Sequence, residues 1–108
     1  MIYEINISNQ ADIDLRNIYE YIAYEVKAPE NAASQLTRLE NSILGLTKMP
    51  ERFRLYENEP WHSRGLHIMS VDHYLVLYVP DKSNQAVTIL RVMYGGRDIE
   101  IQLAKYTK

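Results

Sequence analysis

Six consecutive residues, Tyr74 to Val79 (YLVLYV), are apolar or aromatic at every position. A strand with two apolar faces belongs inside a sheet, so this run predicts the central strand around which the other elements are arranged. Gly65 to Val71 reads as the strand before it. Ala86 to Tyr94 reads as the strand after it, paired through the polar turn Asp81–Gln85. Near the start of the chain, Ile2, Glu4 and Asn6 alternate with Tyr3, Ile5 and Ile7, the period-two mark of a half-buried strand over Ile2 to Ser8.

Between the first strand and the rest lie two stretches with helical periodicity. Ser8 or Asn9 can cap the first, and Asp12 in its opening turn complements the helix dipole. Leu15, Ile18, Tyr19, Ile22 and Val26 then form one apolar stripe, with the helix ending near Lys27. Pro29 suits the first position of a second helix, whose stripe is Ala32, Leu36, Leu39, Ile43 and Leu46 and which Pro50 stops. Gly45 weakens that helix locally and allows a neighbour to come close. The short turn between them implies an antiparallel helical hairpin. Glu51 to Ser63 reads as an ordered loop, and Arg97 to Lys108 as a short tail. The expected fold is α+β, ordered β-α-α-β-β-β, with the hairpin packed on a mostly antiparallel four-stranded sheet. With 108 residues and no repeat or linker, one domain is expected over residues 1–108.

Composition narrows the chemistry. The chain has no cysteine, which excludes disulfides and thiolate metal sites. The opening MIYEINISNQ lacks the basic start and apolar run of a signal peptide, and no apolar stretch approaches the length of a membrane span, so a cytoplasmic, membrane-free protein is expected. Net charge is −2, which argues against a general nucleic-acid binder relying on a basic surface. The charge is uneven: Trp61 to Arg97 holds four basic residues, two acidic ones and all three histidines. Nine tyrosines against one phenylalanine suit core edges and equally suit a surface clasped to a partner.

Standard catalytic constellations are missing. The sequence has no phosphate-cradling glycine loop, nucleophile elbow or HExxH, and His62, His67 and His73 lack metal-ligand spacing. No cofactor or metal is expected. Asp12 and Asp14 point about 200° apart on a helix and cannot act as a pair. What remains is the run Arg91 to Asp98 (RVMYGGRD) at the end of the last strand. Its guanidinium and phenol groups can grip phosphate or stack on bases. They can equally form an internal ion pair, Arg91 or Arg97 with Asp98 or Asp72, that locks the tail. Gly95 and Gly96 allow positive φ or a close backbone approach.

The order and spacing of these residues resemble the RelE/ParE toxin superfamily over nearly the whole chain. The matching positions are Tyr3-x-Ile5-x-Ile7, Ala11, Asp14-Leu15, Ile18-x-x-Tyr21-Ile22, Pro29 and Ala32, then Leu46-x-x-x-Pro50 and Gly65-Leu66. Tyr74 to Tyr78, Val87-x-Ile89-Leu90-Arg91-Val92 and Arg97-Asp98 complete the set. The resemblance implies a toxin neutralised by a cognate antitoxin in a hetero-oligomer. One branch cleaves mRNA on the ribosome without a metal; the ParE-like branch inhibits DNA gyrase.

The ribonuclease pattern transfers poorly. Where that branch has an arginine in the central strand (YRLVY), this chain has Leu75, and its strand lysines are replaced by Leu66-His67-Ile68-Met69. Leu103 and Met93 fall near the C-terminal tyrosine of RelE and the histidine of YoeB, while Tyr94 and Arg97 match functional positions and Trp61-His62-Ser63-Arg64 is similar to a YoeB segment. The ParE-like branch is therefore favoured, with Arg64, Arg91, Tyr94, Arg97 and Trp61 expected to meet the target and Tyr19, Tyr21 and Tyr24 the antitoxin. If the chain is instead an endoribonuclease acting on ribosome-bound mRNA, the expected catalytic residues are His67, Tyr94 and Arg97. A third possibility is an inactive homologue that only binds its antitoxin.

Overall fold

Ser8 fixes the junction between the first strand and the first helix. Its hydroxyl accepts the Ala11 N–H at 3.0 Å and donates to the Leu90 carbonyl, also at 3.0 Å, so one side chain both caps the helix and ties it to the sheet. The computed structural model describes residues 2–96 and 98–106. Strand β1 (Glu4–Ile7) leads into helix α1 (Asn9–Glu20), and α1 continues through one π-helical turn, Tyr21–Glu25, before Lys27 turns the chain at φ 57°. The predicted stripe extends through this turn, but the wider π spacing leaves Tyr21, Tyr24 and Val26 exposed.

Helix α2 (Pro29–Leu44) begins on proline as expected. It ends six residues before Pro50. Gly45 caps it and opens a 3-10 turn through Thr47, and Pro50 starts a separate 3-10 turn, Pro50–Arg52. The neighbour that approaches Gly45 is Arg52, whose guanidinium donates to its carbonyl. Ala32, Leu39, Ile43 and Leu46 are buried, each large one contributing about 1.5–3 kcal/mol relative to exposure.

The sheet has five strands where four were expected. The added one is β2, only Arg54–Leu55, inside the segment expected to be a loop. Strands β3 (His67–Val71), β4 (Tyr74–Asp81) and β5 (Ala86–Tyr94) follow, in the order β1-β5-β4-β3-β2 with β1 parallel to β5 and the other pairs antiparallel. The run that reads as central is central. Leu77 pairs with Arg91 and Tyr78 with Ile89, so Leu90 is the extra residue of a bulge in β5.

Each face of the sheet has its own core. The helical hairpin covers Met69, Val71, Val76, Tyr78, Val87, Ile89 and Val92. On the opposite face, Leu66, Ile68, Leu77 and Met93 pack with Tyr56 and with Leu103 of a third helix, α3 (Ile99–Tyr106), which occupies most of the expected tail. Tyr78 is fully buried and its hydroxyl donates to the Pro50 carbonyl, which fixes the loop after α2. Its phenol is pushed up to about 12 by burial.

Candidate functional site

The parallel pairing of β1 stops at Ile7, opposite Ile89, while β5 runs on to Tyr94. From Leu90 onward the outer edge of β5 has no strand beside it among the described residues. Helix α1 fills that place with side chains. Ser8 holds the Leu90 carbonyl, and Asp14 accepts the Val92 N–H at 3.0 Å. A carboxylate inside a fold needs a countercharge, and Arg91 supplies it: Nε donates to Oδ2 at 2.7 Å and Nη2 to Oδ1 at 3.0 Å. The third guanidinium nitrogen, Nη1, donates to the Gln102 carbonyl of α3 at 2.9 Å. One arginine thus joins α1, β5 and α3.

Arg91, expected to meet the target, has a side chain only 4% exposed and engaged by Asp14. Of the ion pairs expected to lock the tail, Arg91 makes its own with Asp14, and its bond to the Gln102 carbonyl reaches the tail; the alternatives with Arg97 lie outside the described residues. Asp72 pairs instead with Arg38 at 2.8 Å and with Gln35 at 3.0 Å, and these bonds, Arg38 first, hold its carboxyl below the usual value.

Above the Asp14–Arg91 pair lies a cleft of about 620 Å³, walled by Ile18, Tyr21, Tyr74, Met93 and Tyr94, with Asn17 and Gln102 at its edges. Tyr74 and Tyr94 pair across β4 and β5, ring centroids 5.9 Å apart and edge to face. Burial raises the Tyr74 phenol pKa, and Tyr94 and Tyr21 add to the effect. The glycine pair makes room for this arrangement. A Cβ on Gly95 would come within 3.2 Å of the His73 carbonyl that its N–H meets at 2.8 Å, and one on Gly96 within 3.0 Å of the Tyr94 ring. The close approach expected of these glycines is therefore internal.

The remaining candidates lie elsewhere. Trp61 and Arg64 sit together, the guanidinium 4.8 Å from the indole ring, in a separate hollow of about 380 Å³ on the other side of α3. Glu59 caps that loop by accepting the Ser63 N–H and hydroxyl, which lowers its pKa, and Asn58 binds Glu100 of α3 at 2.6 Å. His67 stacks near Tyr78, centroids 5.6 Å apart, with Nδ1 2.8 Å from the Gly65 carbonyl. His67 faces Tyr78 in the sheet and Tyr94 faces Tyr74, four residues back along β4 or about 13 Å. The expected nuclease residues His67 and Tyr94 are thus not brought together, and Arg97 lies outside the described residues.

The three tyrosines expected to face a partner diverge. Tyr21 lines the cleft, Tyr24 is 70% exposed at the hairpin connection, and Tyr19 lies in a shallow groove of α1 and α2 with Leu15, Leu36, Glu20 and Glu40. Tyr74, read only as a core-strand residue, is the wall that sequence reasoning missed; its signal was its place opposite Tyr94. Among the described residues no cluster of His, Asp or Glu could hold a metal ion, and no helix is long and apolar enough to cross a membrane.

The same arrangement of elements occurs in solved toxin structures. The Pseudomonas aeruginosa chromosomal ParDE toxin–antitoxin system gives a TM-score of 0.71 at 15% identity, covering 86% of this chain and 96% of that one. The RelBE2 toxin–antitoxin complex of Mycobacterium tuberculosis gives 0.62 at 22% identity, covering 87% and 99%. A free-state mutant of Escherichia coli RelE gives 0.62 at 11% identity, covering 89% and 86%. Comparison with curated protein sequences finds no match. The family model described as the ParE toxin of the type II toxin–antitoxin system parDE matches residues 5–99. The chain belongs to the ParE toxin family of type II toxin–antitoxin systems.

Proposed function

We propose that this toxin arrests growth by binding DNA gyrase without chemical catalysis, and that a cognate antitoxin holds it inactive in a cytoplasmic hetero-oligomer. Membership of the ParE family supports the choice of target. The observation that carries the reading is the state of Arg91: the arginine of the cleft is engaged by Asp14 on two nitrogens. Phosphoryl-transfer sites work through preorganised positive charge aimed at the reacting group, each donor worth ~10²–10³-fold in rate. Here that charge is internally neutralised, and Leu75 stands where the nuclease branch has arginine. The solved relatives named as toxin–antitoxin systems support an antitoxin partner.

The test is expression of the chain without an antitoxin, with DNA damage and mRNA integrity read separately. The expected result is arrested DNA synthesis and induced damage signalling with intact mRNA. Codon-positioned mRNA cuts in translating extracts would overturn it in favour of the ribosome-dependent endoribonuclease. No growth effect from well-folded protein would point to an inactive homologue that only binds its antitoxin. The product of the adjacent reading frame, if it has a DNA-binding N-terminus, is the antitoxin to purify.

A further inference from the structure

An open sheet has two edges, and an uncovered edge offers unpaired N–H and C=O groups to another strand. Strand β2 limits one edge to two residues. Beyond Ile7, the edge of β5 is closed by the Ser8 hydroxyl on the Leu90 carbonyl and by Asp14 on the Val92 N–H. The outer side of β1 stays open.

The ladder decides which groups that side offers. The Glu4 N–H donates to the Gln85 carbonyl at 2.8 Å and the Ser8 N–H to the Ile89 carbonyl at 3.0 Å, so Glu4, Asn6 and Ser8 face β5. Tyr3, Ile5 and Ile7 alternate with them and turn their backbone groups outward. The Tyr3 N–H is taken by the Thr47 carbonyl at 2.8 Å. Among the described residues, nothing bonds the N–H of Ile5 or Ile7. The Ile7 side chain is 47% exposed, and no lysine, proline or bulge guards the strand.

This open stretch is complementary to itself. In an antiparallel pair about a two-fold axis at Asn6, Ile5 lies opposite Ile7 of a second copy, and the two exchange both of their hydrogen bonds. An axis at Ile5 would instead call on the Tyr3 N–H, which Thr47 already holds. The axis at Asn6 also sets Glu4 opposite Ser8, so no like charges meet. Each exposed Ile7 comes to rest against a half-buried Ile5.

We propose that the chain, when free of its antitoxin, pairs with a second copy through β1 in a two-fold dimer whose sheets join edge to edge. The symmetry closes the seam, so association stops at two copies. A pairing this short belongs with small, transient interfaces of less than about 1,200 Å². The proposal rests on the strand alone and holds whichever target the toxin has.

Sedimentation velocity of the full chain over a concentration series tests it. The expected result is a reversible monomer–dimer equilibrium, with the Ile5 and Ile7 amides exchanging more slowly with solvent as concentration rises. Ile7→Pro removes an outward N–H and no bond to β5. It should weaken the dimer about ten- to a hundredfold with an unchanged melting temperature. Asn6 is exposed, so Asn6→Lys and Asn6→Asp should both fold, and each should weaken self-association by placing like charges across the axis. Mixed together, the two should form a heterodimer tighter than either homodimer. Ile101→Ser, at another exposed isoleucine, should match wild type.

A monomer at every concentration would overturn the proposal. So would a dimer that Ile7→Pro and the Asn6 variants leave unchanged, or one that Ile101→Ser weakens equally. Slower exchange at Ile5 and Ile7 only when the purified antitoxin is added would also overturn it, and would assign the edge to that partner. If Ile7→Pro fails to fold, the charge-paired Asn6 variants carry the same test.

Discussion

Asp14 of α1 and Arg91 of β5 stand 77 positions apart in sequence and meet through two hydrogen bonds, with side chains only 9% and 4% exposed. Asp14 bonds the β5 backbone as well, and Arg91 reaches the Gln102 carbonyl, so the pair connects the hairpin layer, the sheet and the terminal helix.

Removing one member strands the other charge inside the fold. Asp14→Ala should lower unfolding free energy by about 3–5 kcal/mol in urea denaturation. Asp14→Ala combined with Arg91→Met should cost clearly less than the two single changes summed, because no unpaired charge is left behind. Additive losses would mean that the two residues act independently.

Tyr78→Phe leaves the Pro50 carbonyl without its donor and should cost about 1–3 kcal/mol. The phenol also titrates late. Its pKa is raised to about 12 from 10.0, so the stability it contributes is complete below pH 10 and is lost as pH rises through 12. In an absorbance titration of the folded protein, Tyr78→Phe should remove a phenol that ionises only near pH 12 and leave the phenolate absorbance reached by ~pH 10 unchanged.

Asp72 gives the opposite sign. Its pKa is lowered from 3.8 by Arg38 and then Gln35, so the stability it contributes is present above the ordinary carboxylate range and is lost as pH falls through the folded value. The melting-temperature difference between wild type and Asp72→Asn should be largest near neutral pH and narrow as pH falls below the ordinary carboxylate range. A difference that persists in acid would assign the effect to shape and not to charge.

Leu103 is the fully buried side chain by which α3 enters the second core. Leu103→Ala should cost about 2–5 kcal/mol and increase binding of a hydrophobic dye, as Leu66, Leu77 and Met93 lose their cover. Equal dye binding and an unchanged denaturation midpoint would show that α3 adds little.

The parts of this fold visible in the sequence are those with a period. The stripe of α2 and the all-apolar β4 each repeat a burial pattern, and β1 also forms within its expected span, although Ile7 on the face of Tyr3 and Ile5 is exposed. Strand β2 was invisible because Arg54 and Leu55 are both exposed and two residues make no period. Helix α3 was missed because it fits only about two turns, with Ile99 and Leu103 as its inward residues. The π turn keeps Ile22 half-buried but turns Val26, the last residue of the predicted stripe, out to solvent beside Tyr21 and Tyr24, which stood out only by being tyrosine. Of the cleft, Tyr21, Arg91 and Tyr94 were singled out in advance. Their assembly was not, because Asp14, which engages Arg91, lies 77 positions away in sequence.

The pairing of the first strand with the last carries a consequence for how the protein is made. Ser8 and Leu90, which hold this seam together, are separated by 82 positions. At ~5–20 residues per second, ribosomal synthesis leaves the β1 end waiting about 4–16 s for its partner. A chain interrupted before Ala86 has nothing for Glu4–Ile7 to pair with and cannot bring Arg91 to Asp14. Translation products that stop before β5 therefore hold neither a closed sheet nor a formed cleft.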